Sequence, residues 1–144
     1  MELIGICSDH AGYELKQHVA KWLKEQGFEV KDFGTYSTDS CDYPDFAHPM
    51  ANALEAGEFK RGVALCGTGN GINMALNKHK GIRAALCWCD SIAEQARLHN
   101  DANVLVLPGR YLSEEEASSL LNIFFNTEFE GGRHQKRIDK ISNW

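Results

Sequence analysis

The chain has 144 residues, 43% hydrophobic and 24% charged, a length that suits one domain and is too short for separate cofactor and substrate domains. Thirteen glycines and three prolines without periodicity exclude collagen-like and low-complexity classes, and no stretch approaches the roughly 18 apolar residues of a membrane span. Fifteen basic against twenty acidic residues leave a net charge of −5, which argues against a general nucleic-acid binder.

Residues 3–7 read as a short buried strand with no basic leader ahead of it, so no signal peptide and a cytoplasmic location are expected. Leu15, Val19, Trp22 and Leu23 then share one helical face, closed by Gly27. Residues 28–33 alternate apolar and charged side chains as a half-exposed strand, and 34–44 form a loop. A helix is predicted over 44–56, stopped by Gly57 and disturbed by Pro49. The second half repeats the rhythm, with a strand at 63–66, a glycine-rich turn at 67–71 and a helix at 72–78. A strand at 82–87, a helix at 90–98 and a strand at 104–107 follow. Ser113 to Glu116 make a capping box for a helix through Phe125, and Gly131-Gly132 precede a last helix from about Arg133.

Strands alternating with helices imply an α/β fold, a three-layer α/β/α Rossmann-like sandwich around a five-stranded parallel sheet in one domain, 1–144. In such sheets ligands sit beyond the carboxyl ends of the strands, at a topological switch point. If the strand order begins 2-1-3, Ser8-Asp9-His10 and Cys66-Gly67-Thr68-Gly69 face each other there.

The loop Cys66 to Gly71 joins a strand to a helix, where glycines admit a ligand close to backbone N–H groups. It is neither a Walker A nor G-x-G-x-x-G, although Asp90 lies about 20 residues on, where a ribose-binding acid would sit. A purely structural tight turn is the competing reading. A thiol at the mouth of a helix N-terminus gains thiolate character, so Cys66 is a candidate base or nucleophile, against a packed strand-end cysteine. As a thiolate it would alkylate ahead of the other four cysteines, Cys7, Cys41, Cys87 and Cys89. The five cysteines together are odd in number, without CxxC, so neither a disulfide framework nor cysteine metal spacing is expected.

Asp9 either accepts from substrate hydroxyls or caps the next helix, and His10 can bond a sugar or phosphate. Arg133 and Arg137, spaced i, i+4 after glycines, put two guanidinium groups on one helical face. That suits a phosphate; a solvated basic helix is the bland alternative. Residues 131–144 carry Arg133, Lys136, Arg137 and Lys140 against Asp139 alone, a basic island on an acidic body. His18, His48 and His79 read as solvated and receive no role. His99 lies before the last strand, at the sheet edge opposite Asp9 and Cys66, and could join them only across a subunit boundary.

With these residues placed, the chain resembles the ribose-5-phosphate isomerase B family, which includes galactose- and allose-6-phosphate isomerases. The resemblance runs from Ser8 to Arg137. It rests on Ser8-Asp9-His10-Ala11-Gly12, Asp42-Tyr43-Pro44, Cys66-Gly67-Thr68-Gly69-Asn70-Gly71, Gly81-Ile82-Arg83-Ala84, Arg97-Leu98-His99-Asn100-Asp101 and Gly131-Gly132-Arg133-His134.

The resemblance implies an aldose–ketose isomerase of the non-oxidative pentose phosphate pathway, with Cys66 moving a proton between C1 and C2 of the sugar phosphate. The amides of Gly67, Thr68, Gly69, Asn70 and Gly71 would stabilise a cis-enediolate, assisted by the Thr68 side chain, and His99 would open the furanose ring. Asp9, His10, Tyr43 and Asn100 would position the sugar, and Arg110, Arg133 and Arg137 would hold the phosphate. Some members carry a glutamate base directly after the last loop glycine; here that position is Ile72, which groups the chain with the cysteine-base members. The family is metal-free, uses no cofactor, and forms dimers or tetramers with shared sites. A six-carbon sugar-phosphate isomerase is the alternative within this chemistry, and a non-catalytic nucleotide-binding module the alternative outside it. No nucleic-acid or membrane partner is expected.

Overall fold

The computed structural model describes residues 1–144. Its strands are Leu3–Ser8 (β1), Glu29–Asp32 (β2), Arg61–Cys66 (β3), Ala84–Leu86 (β4) and Val104–Pro108 (β5). Its helices are Tyr13–Glu25 (α1), Pro44–Glu55 (α2), Asn70–Leu76 (α3), Asp90–Leu98 (α4), Glu114–Asn126 (α5) and Arg133–Asp139 (α6). All strand pairs are parallel, in the order β2-β1-β3-β5-β4. The order begins 2-1-3, so the loops leaving β1 and β3 lie side by side. No helix is long and apolar enough to cross a membrane.

Alternation along the strands builds two cores, because successive side chains point to opposite faces. Ile4, Ile6, Val63, Leu65, Leu105 and Leu107 meet Leu15, Val19, Leu23, Ala93, Leu120 and Phe124 from α1, α4 and α5. Cys7, Ala64, Cys66, Val104 and Val106 meet Ala47, Met50, Ile72 and Leu76 from α2 and α3. Full burial of each Leu, Ile or Phe contributes about 1.5–3 kcal/mol. Cys66 thus belongs to the face covered by α2 and α3, the two helices whose first residues border the glycine loop.

Local signals account for most element ends. Gly27 adopts φ +90 just after α1, a conformation only glycine takes without strain. Ser113 accepts from the Glu116 amide while the Glu116 carboxylate accepts from the Ser113 amide, an arrangement that stabilises α5 by about 1 kcal/mol.

Two expectations are corrected. Pro49 lies inside α2, which runs unbroken to Glu55. Asp45, whose carbonyl loses its donor, and Pro49 both face solvent, where water replaces the missing bond. The strand expected over 82–87 shrinks to Ala84–Leu86, because only these residues pair with Val104 to Val106 of β5. Arg83 instead donates its amide to the Asn103 side chain.

Candidate active site

The loops after β1 and β3 meet because their strands are neighbours. The Asp9 amide donates to the Leu65 carbonyl at 3.2 Å, and the Gly109 amide donates to the Cys66 carbonyl at 2.8 Å. These bonds tie three strand ends around Cys66, which is only 4% exposed. Asp9 is almost buried and accepts the amides of Ala11 and Gly12 at 2.9 and 3.1 Å through Oδ1. It braces the turn ahead of α1 but does not cap the helix, whose N-cap is Gly12 without a side-chain cap bond, which corrects the capping reading. His10 Nδ1 accepts the Cys41 amide at 3.2 Å, which leaves the Nε2 proton as its free donor.

The glycine loop owes its shape to two contacts. Gly69 takes φ +82 with its α carbon against Leu86 and Val106, so a side chain there has neither the backbone geometry nor the space. A Cβ at Gly71 would lie 2.5 Å from the Tyr43 ring, which therefore sits directly on the loop. Thr68 Oγ1 accepts the Asn70 amide at 3.2 Å and the Asn70 side-chain amide at 3.3 Å, a local turn that fixes both residues. The loop opens α3 at Asn70, two residues ahead of the expected start. Arg110 is exposed, and its guanidinium lies 3.3 Å from the position of a Gly67 Cβ.

One face of the chain therefore gathers Asp9, His10, Tyr43, Cys66, Gly67, Thr68, Gly69, Asn70, Gly71 and Arg110. The remaining candidates lie elsewhere. His99 follows α4 at the edge where β5 begins, next to Asn100. Arg133 and Arg137 stand exposed on α6 close by. The chain comes back to this edge because the Glu130 amide donates to the Leu98 carbonyl at 3.0 Å and Gly131 and Gly132 turn with φ +75 and +61. The ring of His134 then stacks on His99, with centroids 4.3 Å apart and planes 17° from parallel. Two separate clusters result, one around the Cys66 thiol and one around the His99 imidazole with Arg133 and Arg137.

The thiols differ sharply. Burial pushes Cys7 far up and Cys87 up to about 12, so both are packed, inert groups. Cys89 is exposed, and the Ile92 amide and Ser91 hydroxyl hold it below the ordinary thiol value. Cys89 is therefore the accessible cysteine with a favoured thiolate, whereas Cys66 is nearly buried, so access argues for labelling at Cys89 ahead of Cys66.

Sequence reasoning also missed several polar contacts. Lys16 is fully buried, with Nζ donating to Asp32 at 2.5 Å and to the Thr35 carbonyl at 2.7 Å. His48 Nδ1 and His79 Nε2 lie 2.7 Å apart, and His79 Nδ1 lies 2.9 Å from Glu55. His18 pairs with Ser118 at 2.7 Å. The reading of these three histidines as merely solvated is thereby corrected. Helical periodicity could place them on a face, but their partners are distant in sequence.

Comparison with known proteins points one way. The ribose/galactose isomerase family model matches residues 4–141. The chain is 41% identical over 142 residues to ribose-5-phosphate isomerase B of Escherichia coli, covering 99% of this chain and 95% of that protein. It is 46% identical over 139 residues to a probable ribose-5-phosphate isomerase B of Mycoplasma pneumoniae, covering 96% and 91%. Among solved structures, ribose 5-phosphate isomerase B of Thermotoga maritima superposes with a TM-score of 0.97 at 48% identity, covering 99% of each chain. The Mycoplasma genitalium enzyme, solved with bound ribulose 5-phosphate, gives 0.92 at 43% identity, covering 97% and 93%.

Proposed function

The chain belongs to the ribose/galactose isomerase family, and from that membership we propose that it interconverts ribose 5-phosphate and ribulose 5-phosphate in the cytoplasm. The observation that carries this reading is a nearly buried thiol, Cys66, at the end of β3, bordered by Gly67 to Gly71 with Asp9 and Tyr43 alongside. The five-carbon substrate is preferred over six-carbon sugar phosphates because the relatives are named for it and one of them holds ribulose 5-phosphate.

The proton removed is attached to the carbon beside an aldehyde and is only weakly acidic. A base alone is insufficient; the negative charge appearing on the two adjacent oxygens needs donors aimed at it. Amides of residues 67–71 serve this role, each worth about 3–4 kcal/mol in a water-excluded site. Cys66, as thiolate, takes the proton from C2 of the open-chain aldose, the hydroxyl proton on O2 passes to O1, and the thiol returns its proton to C1 of the cis-enediolate, giving the ketose. Thr68 adds a hydroxyl at the same edge. Asp9, His10 and Tyr43 orient the sugar hydroxyls, His10 through its Nε2 proton.

His99 opens the furanose ring, and it does so in the site of a neighbouring subunit. Arg133, Arg137 and Asn100 accompany it, while Arg110 serves the phosphate from the chain that carries Cys66. A symmetric pair gives each subunit what it lacks, since a two-fold contact is reciprocal. Exposed Met74, Trp88 and Tyr111 around the glycine loop supply apolar surface for such an assembly. Residues 1–144 act as one domain in this scheme.

A coupled isomerase assay with ribose 5-phosphate, allose 6-phosphate and galactose 6-phosphate side by side tests the reading. Turnover is expected with ribose 5-phosphate above the other two. Preference for a six-carbon substrate would reassign the chain within the family, and no turnover of any would overturn the isomerase reading.

A further inference from the structure

The edge that carries His99 holds a group of donors whose spacing suits an ion. One nitrogen of His99, one of His134 and a carboxylate oxygen of Glu130 all lie within 4.8 Å of one another. His134 is 5% exposed, and its Nε2 is buried without a hydrogen-bond partner. That is costly for a polar nitrogen. The Glu130 carboxylate, through Oε1, stands 3.5 Å away. This exceeds an ordinary N–H···O separation but matches two ligands sharing one metal. Bonds of about 2.0–2.1 Å at the tetrahedral angle set neighbouring ligand atoms roughly 3.3–3.4 Å apart.

We propose that Glu130, His134 and His99 form a three-ligand site for a borderline divalent cation of the zinc type, and that an ion bound there withdraws His99 from proton transfer. Two imidazoles and one carboxylate favour zinc-like ions over magnesium or calcium, which prefer all-oxygen shells. Three protein ligands leave one position open for water. Two of the three donors are held near their positions. Glu130 is anchored through its amide to Leu98, and His134 is packed under His99. The moving part is His99, half-buried just beyond α4. It must tilt out of the stack, because the lone pairs of parallel rings do not converge. The resting stack and the ion-bound state are thus alternatives, and only the former leaves the His99 ring free to exchange protons. The binding half of the proposal stands by itself; the inhibition half rests on the isomerase reading.

The test uses the full-length protein freed of metal and titrated with zinc by calorimetry, with cobalt as a spectroscopic probe. One ion per chain is expected, with a cobalt spectrum that lacks a thiolate charge-transfer band. Glu130→Gln, an exposed change that spares the fold, should weaken zinc binding by at least about tenfold, the low end seen even for outer-sphere partners of a metal. His134→Gln should do the same, and the double variant Cys66→Ala/Cys89→Ser should retain the site. Equal zinc affinity in wild type and Glu130→Gln, or loss of the site in the thiol variant, overturns the proposal. In the isomerase assay zinc should inhibit the wild type reversibly on chelation and inhibit Glu130→Gln far less. Zinc that binds as described without inhibiting an active isomerase removes the His99 half. Zinc that binds to a protein inactive on every sugar phosphate leaves the site standing and removes the isomerase reading.

Discussion

Cys66 and His99 occupy opposite ends of the same sheet. Cys66 closes β3 at its carboxyl end, and His99 follows α4, which runs from that end back to the start of β5. The nine residues of α4 span about 13 Å, farther than an imidazole reaches. If both groups serve one reaction, they meet across a subunit boundary. Cys66→Ala alone should abolish isomerisation yet leave sugar-phosphate binding largely intact, since only a transition-state group is lost. Mixing Cys66→Ala with His99→Asn under subunit exchange then rebuilds one intact site in each mixed dimer. Random reassortment makes half the dimers mixed, so activity should recover to roughly a quarter of wild type. Activity fixed at the weighted mean of the parents, with exchange demonstrated, would place His99 in its own subunit's site.

The arginines divide in the same way. Arg110 lies against Gly67 beside Cys66, whereas Arg137 stands free on α6 near His99. Arg137→Ala should weaken ribose 5-phosphate binding by about 1.5–3 kcal/mol, the scale of a charge-assisted hydrogen bond. Free ribose, lacking the phosphate, should bind the variant and the wild type alike. Unchanged ribose 5-phosphate affinity would return Arg137 to an ordinary solvated helix position.

Thiol reactivity separates access from chemistry. Peptide mapping after brief iodoacetamide treatment should find Cys89 modified first, because it is exposed and its thiolate is favoured by the Ile92 amide. Cys7 and Cys87 should react last, their thiols pushed up by burial. Cys66 should gain label more slowly than Cys89 and be shielded by a sugar phosphate. Faster labelling at Cys66 would mean that its strand end opens in solution.

Glu55 gives the fold a pH-dependent contact. The Gly81 amide and the His79 ring hold its carboxyl below the ordinary value of 4.5. A depressed carboxylate stabilises the fold fully above that value and loses its contribution as pH falls through the lower folded one. The group is largely solvent-screened, so the effect is under about 1 kcal/mol. Glu55→Gln should melt lower than wild type at neutral pH, and the gap should close in acid. A gap that stays constant on acidification would show that the carboxylate charge contributes nothing.

Much of this molecule is written in local pattern. Periodicity and capping predict the eleven elements within a few residues of their observed bounds, and the switch-point rule brings Asp9 and Cys66 together. The 90–98 helix length was enough to separate His99 from them. What was not legible depends on distant chain segments meeting. Nothing in Leu98 or Glu130 announces the backbone bond that folds α6 back, so the His99–His134 stack stayed hidden. The pairing of His48 with His79 joins α2 to the turn after α3, again beyond local reach. Lys16 is the sharpest case, because a lysine on an amphipathic helix reads as a solvent-facing charge.

That lysine leads to a last expectation. Lys16 is fully buried between Asp32 and the Thr35 carbonyl, while Asp32 keeps 32% of its side-chain surface exposed. The Thr35 amide in turn donates to the Ser8 carbonyl at 2.7 Å, one residue before Asp9. The lysine therefore clamps the loop after β2 against the strand end that presents Asp9. Lys16→Met keeps the apolar stem but leaves Asp32 without its cation, held only by the Gly34 amide, and removes the lysine's bond to the Thr35 carbonyl. Urea unfolding should show a loss of about 3 kcal/mol, the low end for breaking a buried pair because Asp32 is partly hydrated. KM for the sugar phosphate should rise with it, since Asp9 loses its backing. Removing the orphaned charge as well, in Lys16→Met/Asp32→Leu, should restore more than half of the lost stability, because two apolar groups often replace a buried ion pair at little cost. KM should stay high in that double variant, as the bond to Thr35 is still missing. Recovery of both quantities together would show that charge imbalance, and not the clamp on the loop, was what the lysine prevented.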